Sequence, residues 1–116
     1  RGGMERGMRW WKEGKLLNKK NTFKDYIAVA KYLIEKKYTS KGKIIGMGGS
    51  AGGLLMGAVV NQKPELFKGV ISNVPFVDIV TTMSDSSIPL TTGEYSEWGN
   101  PEDEREFKYI LSYSPL

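Results

Sequence analysis

Residues 43–60 read KIIGMGGSAGGLLMGAVV: a short apolar stretch, a glycine-rich turn centred on Ser50, and a longer apolar run. This order predicts a strand, a tight turn and a helix. The turn Gly48-Gly49-Ser50-Ala51-Gly52 fits the G-x-S-x-G pattern, in which a serine on a strained elbow lifts its hydroxyl off the edge of a sheet. Glycines on both sides let the helix begin close against the strand. Ser50 is therefore the candidate nucleophile.

The segments around this turn predict an α/β fold. A helix is expected from near Phe23 to near Lys37, because apolar residues recur there at helical spacing, with Thr22 and Asp25 marking its start. A strand over 43–47, a helix ending before Pro64 and a second strand over 69–74 complete the pattern. Strand–helix–strand units of this length are right-handed, and their two strands are parallel. The prediction is a parallel βαβ unit.

The remaining segments carry weaker signals. Residues 1–21 predict an irregular loop with Trp10 and Trp11 as packing anchors, since glycines and charges interrupt any periodicity. After Pro75, a short helix is expected over 79–83 with Asp78 as its N-cap, then a loop over 84–93 and a helix over 102–110. Trp98 is a further expected packing anchor.

The composition limits the chemistry that is available. The 116 residues suit one small domain, and the sequence contains neither cysteine nor histidine. Disulfides, thiolate metal sites and the commonest metal ligand are therefore excluded, and we expect no metal and no cofactor. The missing histidine also matters for Ser50, because a serine nucleophile normally relies on histidine as its general base. No apolar run is long enough for a membrane span and no leader is recognisable, which predicts a cytoplasmic location and no membrane partner.

The charge is divided unevenly along the chain. Residues 1–43 contain 13 Lys or Arg and 4 Asp or Glu (13 − 4 = +9), and residues 44–116 contain 4 and 9 (4 − 9 = −5). In the basic half, lysines alternate with apolar residues at helical spacing, which is typical of the solvated face of a helix. We therefore expect no nucleic-acid partner.

Two other functions remain open at this point. Residues 46–51 also fit G-x-G-x-x-A, the dinucleotide-binding turn, although the acidic residue required near the end of the next strand is missing or displaced to Asp78. Alternatively, the start at Arg1 and the stop at Leu116 suggest an internal segment, or a non-catalytic interaction fragment of a split or decayed gene that docks onto a complementary fragment.

Several stretches resemble the oligopeptidase B branch of the prolyl oligopeptidase family of serine peptidases. They include MGGSAGGLLMG at 47–57, VPFVD at 74–78, PLTTGEY at 89–95, EWGNP at 97–101 and SYSP at 112–115. The resemblance covers nearly the whole chain, and the segment from 89 to 101 is specific to this branch. It implies that residues 1–116 are a fragment of an α/β-hydrolase catalytic domain, without the β-propeller that family members carry.

The resemblance also implies an activity and its residues. Members of this branch cleave short peptides after arginine or lysine. Ser50 would form the acyl-enzyme, and the backbone N–H of Ala51 would stabilise the oxyanion. A second oxyanion donor, a tyrosine, would precede Arg1, and the catalytic aspartate and histidine would follow Leu116. The isolated chain is therefore expected to be nearly inactive.

Glu94 matches the family's primary acidic position in the pocket for the basic side chain. A guanidinium or ammonium group in a pocket requires such a carboxylate partner. The family usually has a second glutamate two residues later, where this chain has Ser96. Glu97 is adjacent and could substitute for it in part, although consecutive loop residues usually point in different directions.

Overall fold

The computed structural model describes residues 1–116 and contains six helices and two strands. They are α1 (Met8–Lys12), α2 (Lys20–Glu35), β1 (Ile44–Gly49), α3 (Ala51–Gln62), β2 (Phe67–Asn73), α4 (Ile79–Ser84), α5 (Tyr95–Trp98) and α6 (Glu104–Leu111). Single 3-10 turns occupy Leu16–Asn18, Pro64–Leu66 and Thr92–Glu94. The longest helix has 16 residues, and none of the helices combines the length and apolar character that a membrane span requires.

The chain divides into two units. One contains residues 23–77 with Pro115, and we call it the elbow unit. The other contains residues 1–22 and 78–114 with Leu116, and we call it the tryptophan unit.

The elbow unit is the predicted βαβ structure. β1 and β2 are parallel neighbours, with Ile45 opposite Gly69 and Met47 opposite Ile71, and α3 connects them. α3 is almost entirely apolar because it is buried on more than one side, and Leu54 and Val59 are fully inaccessible to solvent. The parallel βαβ prediction is confirmed, and β1 continues two residues past the predicted end at Met47.

The predicted apolar stripe of α2 is also confirmed, but its start is not. Phe23, Ile27 and Ala30 are buried along one side of the helix. The helix begins at Lys20, so Thr22 lies inside it and is not the N-cap; its hydroxyl instead donates to the Gly14 carbonyl at 3.3 Å. The capping prediction was wrong because the helix begins earlier and the Thr22 hydroxyl bonds to Gly14, which precedes the helix.

The tryptophan unit contains more regular structure than the sequence predicts. The expected loop over 1–21 holds α1 and a 3-10 turn, and α5 was not predicted at all. Helices of four or five residues have no intrinsic stability in water, so only tertiary contacts form them. The Asp78 cap is confirmed, since its carboxylate accepts a hydrogen bond from Thr81 N at 3.2 Å. α6 begins at Glu104, two residues after the predicted start, behind an Asp103 cap.

Candidate active site

Ser50 forms the sharp connection between β1 and α3. It lies between Gly49, the last residue of β1, and Ala51, the first residue of α3, with φ 52° and ψ −117°. A positive φ is uncommon for any residue with a side chain, and such a conformation costs about 1–3 kcal/mol. The strained elbow predicted from the G-x-S-x-G spacing is therefore present.

The segment that follows β2 holds this strained residue in place. The Ser50 N–H donates to the Asn73 carbonyl at 3.1 Å, and the Ser50 carbonyl accepts from Phe76 N at 3.1 Å. The same carbonyl accepts from Gly53 N at 2.9 Å and Leu54 N at 3.2 Å in the first turn of α3. Both backbone groups of Ser50 are thus fixed, which is the condition under which a strained conformation persists.

Two glycines allow the chain segments to approach each other at the elbow. A Cβ on Gly48 would lie 2.2 Å from the Gly52 carbonyl oxygen, and a Cβ on Gly53 would lie 2.5 Å from Pro75 Cβ. A Cβ on Gly52 would meet nothing within 4 Å. Steric crowding therefore requires a glycine at Gly48, the first glycine of the pattern, but not at Gly52, the last one.

The chemical groups of the elbow are accessible. Ser50 and Ala51 are both exposed, and the Ser50 hydroxyl makes no hydrogen bond within the chain. Ala51 is the first residue of a 12-residue helix, so its N–H has no acceptor inside the helix and lies at the positive end of the helix dipole. A hydroxyl and an adjacent free N–H suit attack on a carbonyl followed by stabilisation of the oxyanion. A serine without a base is a weak nucleophile, and these 116 residues contain no histidine.

Glu94 lies in the tryptophan unit, at the end of the 3-10 turn Thr92–Glu94. It is exposed, and its Oε2 accepts a hydrogen bond from Trp98 Nε1 at 2.7 Å. Its Oε1 makes no hydrogen bond or ion pair within the chain. Ser96, at the usual second acidic position, is exposed on α5. The carboxylate of Glu94 is therefore oriented by one indole and open to a cation on its other oxygen.

Glu97 is engaged inside the same unit. Its Oε2 accepts from Trp11 Nε1 at 3.0 Å, and its Oε1 lies 3.7 Å from Lys19 Nζ. Both oxygens of Glu97 thus have partners inside the unit, which disfavours a role for Glu97 as a second pocket carboxylate. Consecutive residues of a helical turn point in different directions, and Trp11 with Lys19 holds Glu97 on its own side.

Lys19 is the residue that the sequence did not indicate. It is only 7% exposed, and its Nζ lies 4.7 Å from the centre of the Trp98 ring. Burial lowers the pKa of the Lys19 amine, while the charge and hydrogen bond of Glu97 oppose that effect. A lysine among lysines looks like part of a solvated face, so no sequence signal separated it from its neighbours.

Comparison with known proteins establishes the family to which this chain belongs. The family model described as the prolyl oligopeptidase family matches residues 1–116, the full length of the chain. The chain belongs to the prolyl oligopeptidase family. This membership confirms the resemblance noted from the sequence, and the fold matches a fragment of the α/β-hydrolase catalytic domain of this family.

Several members of the prolyl oligopeptidase family are closely similar to this chain. Dipeptidyl aminopeptidase BI of Pseudoxanthomonas mexicana is 58% identical over 115 residues, which are 99% of this chain and 16% of that protein. Protease 2 of Moraxella lacunata is 57% identical over 99% of this chain and 17% of its own length. The structure of oligopeptidase B from Leishmania major superposes with a TM-score of 0.96 at 55% identity, covering 100% of this chain and 16% of that one. The chain thus spans about a sixth of the length of these relatives.

Proposed function

We propose that this chain is the nucleophile-bearing segment of the catalytic domain of a serine peptidase that cleaves short peptides after arginine or lysine. The observation that carries the proposal is the φ 52°, ψ −117° conformation of an exposed serine between a strand and a helix, in a chain that belongs to a peptidase family. The complete protein would add a propeller domain, as the family resemblance implies, and a cytoplasmic location stays a prediction.

Ser50 would act by acyl transfer. Its Oγ attacks the carbonyl carbon of the peptide bond that follows a basic residue, while a general base removes the hydroxyl proton. The tetrahedral intermediate collapses, the C–N bond breaks, and the base returns the proton to the departing amine. Water then attacks the acyl-enzyme, which releases the acid product and restores the Ser50 hydroxyl.

Ala51 would stabilise the negative charge that develops on the carbonyl oxygen. Its N–H belongs to the backbone, is fixed by the start of α3, and needs no rearrangement when the oxyanion forms. The loss of one such donor in a comparable site lowers kcat by about 10²- to 10³-fold. The proposal therefore assigns the first turn of α3 a chemical role as well as a structural one.

Glu94 would receive the side chain of the basic residue. A carboxylate pairs with a guanidinium by two parallel hydrogen bonds and with an ammonium by one. With Ser96 in place of a second glutamate and Glu97 engaged by Lys19 and Trp11, Glu94 would supply the negative charge alone. The selectivity for basic side chains therefore depends on this one residue.

The general base and its aspartate would come from parts of the protein outside these 116 residues. The solved and curated relatives are about six times longer, which supports this division. If the chain is expressed by itself, a complementary fragment would have to supply them. The nucleotide-binding alternative is less favoured, because Asp78, the first acid after β2, is engaged as the cap of α4.

The proposal is tested on the full-length protein with matched amide substrates that differ only in arginine, lysine or neutral citrulline before the cleaved bond. We expect Ser50→Ala to lower kcat by about 10⁴-fold or more on all of them. Ser112→Ala, at an exposed serine after α6, is the matched control and should retain full activity. Peptidase activity that survives in Ser50→Ala would refute the assignment.

The isolated chain provides a second test. Without the triad partners, it should hydrolyse the arginine substrate at least about 10⁴-fold more slowly than the full-length protein. A rate comparable with that of the full-length protein would contradict the proposal that the base lies elsewhere.

A further inference from the structure

Lys19 is a buried cation with two partners in the tryptophan unit. Its side chain is 9% exposed, its Nζ lies 3.7 Å from Glu97 Oε1, and the same nitrogen lies 4.7 Å from the centre of the Trp98 ring. Burial of an ammonium group is costly unless partners compensate for the lost water. Lys12 and Lys24, which also belong to the basic half, are exposed. The burial of Lys19 therefore reflects its position in this cluster.

A continuous series of contacts links Lys19 to Glu94. The ammonium group lies against the Trp98 ring, and the Nε1–H of the same ring donates to Glu94 Oε2 at 2.7 Å. Trp98 itself is 5% exposed, so its ring has little room to move. The orientation of the Glu94 carboxylate thus depends on a ring whose face is covered by Lys19.

We propose that Lys19 is a positioning residue for substrate selectivity: through Trp98 it fixes the Glu94 carboxylate in the orientation that receives the basic side chain. This inference rests on the proposed role of Glu94. It adds a residue that touches neither the substrate nor the reacting atoms.

Two physical effects act in the same direction. A carboxylate held before the substrate arrives loses less conformational freedom on binding, and this preorganisation strengthens the contact with the guanidinium. In addition, Lys19 draws the charge of Glu97 into an ion pair, so that Glu97 does not compete with Glu94 for the incoming cation. Removal of Lys19 would uncover the face of the Trp98 ring and break the ion pair of Glu97, which would keep only its hydrogen bond from Trp11.

The test uses the full-length protein and the ratio of kcat/KM for the arginine substrate to kcat/KM for its neutral citrulline analogue. We expect Lys19→Met to lower this ratio by about fivefold, mainly through a higher KM for the arginine substrate, which is the net contribution of one ordinary hydrogen bond. Trp98→Phe, which keeps a ring but removes the Nε1 donor, should lower the ratio by a similar factor. Lys24→Met, at an exposed lysine of α2, is the matched control and should leave the ratio unchanged.

The ratio separates positioning from stability, because a loss of folded protein lowers both rates equally. If Lys19→Met yields no folded protein, Lys19→Gln removes the charge but keeps a polar end group that can donate a hydrogen bond, and it should give a decrease in the same direction. An unchanged or increased ratio in the Lys19 variant would overturn the inference.

Glu94→Gln distinguishes this failure from a failure of the proposed function. If the inference alone is wrong, Glu94→Gln abolishes the preference for arginine while the Lys19 and Trp98 variants keep it. If Glu94→Gln also keeps the preference, the assignment of Glu94 is wrong, and the inference that depends on it is overturned as well.

Discussion

Gly48→Ala tests whether the close approach of β1 and α3 forms the elbow. A Cβ at this position would lie 2.2 Å from the Gly52 oxygen, 2.5 Å from its carbonyl carbon and 3.1 Å from its Cα. Ordinary contact begins near 3.4 Å, so the strand and the helix would have to separate by about 1.2 Å (3.4 − 2.2). All three atoms belong to the backbone, and no rotation of a side chain can relieve the clash.

The cost should lie at the upper end of the range for overpacked sites, about 3 kcal/mol. If the whole cost falls on the elbow, the ratio of molecules with the native elbow to molecules in which β1 and α3 have separated falls by about 100-fold. Labelling of Ser50 in the full-length protein by a fluorophosphonate, followed as a rate, reports that population. We expect the rate in Gly48→Ala to fall, by up to this factor.

Gly52→Ala is the matched control, because a Cβ there meets nothing within 4 Å. Alanine is also favoured over glycine in a helix, by about 1 kcal/mol. We expect this variant to be labelled within about twofold of the wild-type rate. Equal labelling of Gly48→Ala and the wild type would refute the steric account of the elbow.

Three more predictions concern stability and pH in the full-length protein. Gly53→Ala should lower the temperature of thermal inactivation, because its Cβ would lie 2.5 Å from Pro75 Cβ; an unchanged temperature would show that Pro75 moves freely. Asp103→Ala should remove the cap of α6 at a cost of about 1 kcal/mol, visible as faster amide hydrogen exchange in the first turn, whereas unaltered exchange would exclude the cap. Burial raises the pKa of Tyr113 above 10.0, so its contribution to stability is complete below about pH 10 and is lost as the pH rises further. Above about pH 10, the temperature of thermal inactivation should therefore fall less steeply with pH in Tyr113→Phe than in the wild type, and identical curves for the two proteins would contradict this.

The βαβ unit could be predicted because its signals are local. The run of small residues around Ser50 admits only a sharp turn, and the apolar stretches before and after it have the lengths of a strand and a helix. The strained φ of Ser50 followed from the same spacing. The end of β1 was placed two residues early, because glycines carry little preference for a strand.

The tryptophan unit could not be predicted to the same extent because distant contacts form it. α1 and α5 are too short to show a period, and Trp11 reaches Glu97 across 86 positions of the chain. Nothing local distinguishes Lys19, which is buried, from Lys24, which is exposed. The pairing of Glu97 with Lys19 becomes visible only in the folded unit. The proposal that Glu94 acts without a second carboxylate depends on that pairing.

The most direct test of the central claim is to locate the covalent adduct of a fluorophosphonate on the full-length protein by peptide mass spectrometry. The account predicts one adduct, on the peptide that contains Ser50, with labelling and peptidase activity lost together in Ser50→Ala. An adduct on another serine, or labelling that persists in Ser50→Ala, would show that Ser50 is not the nucleophile.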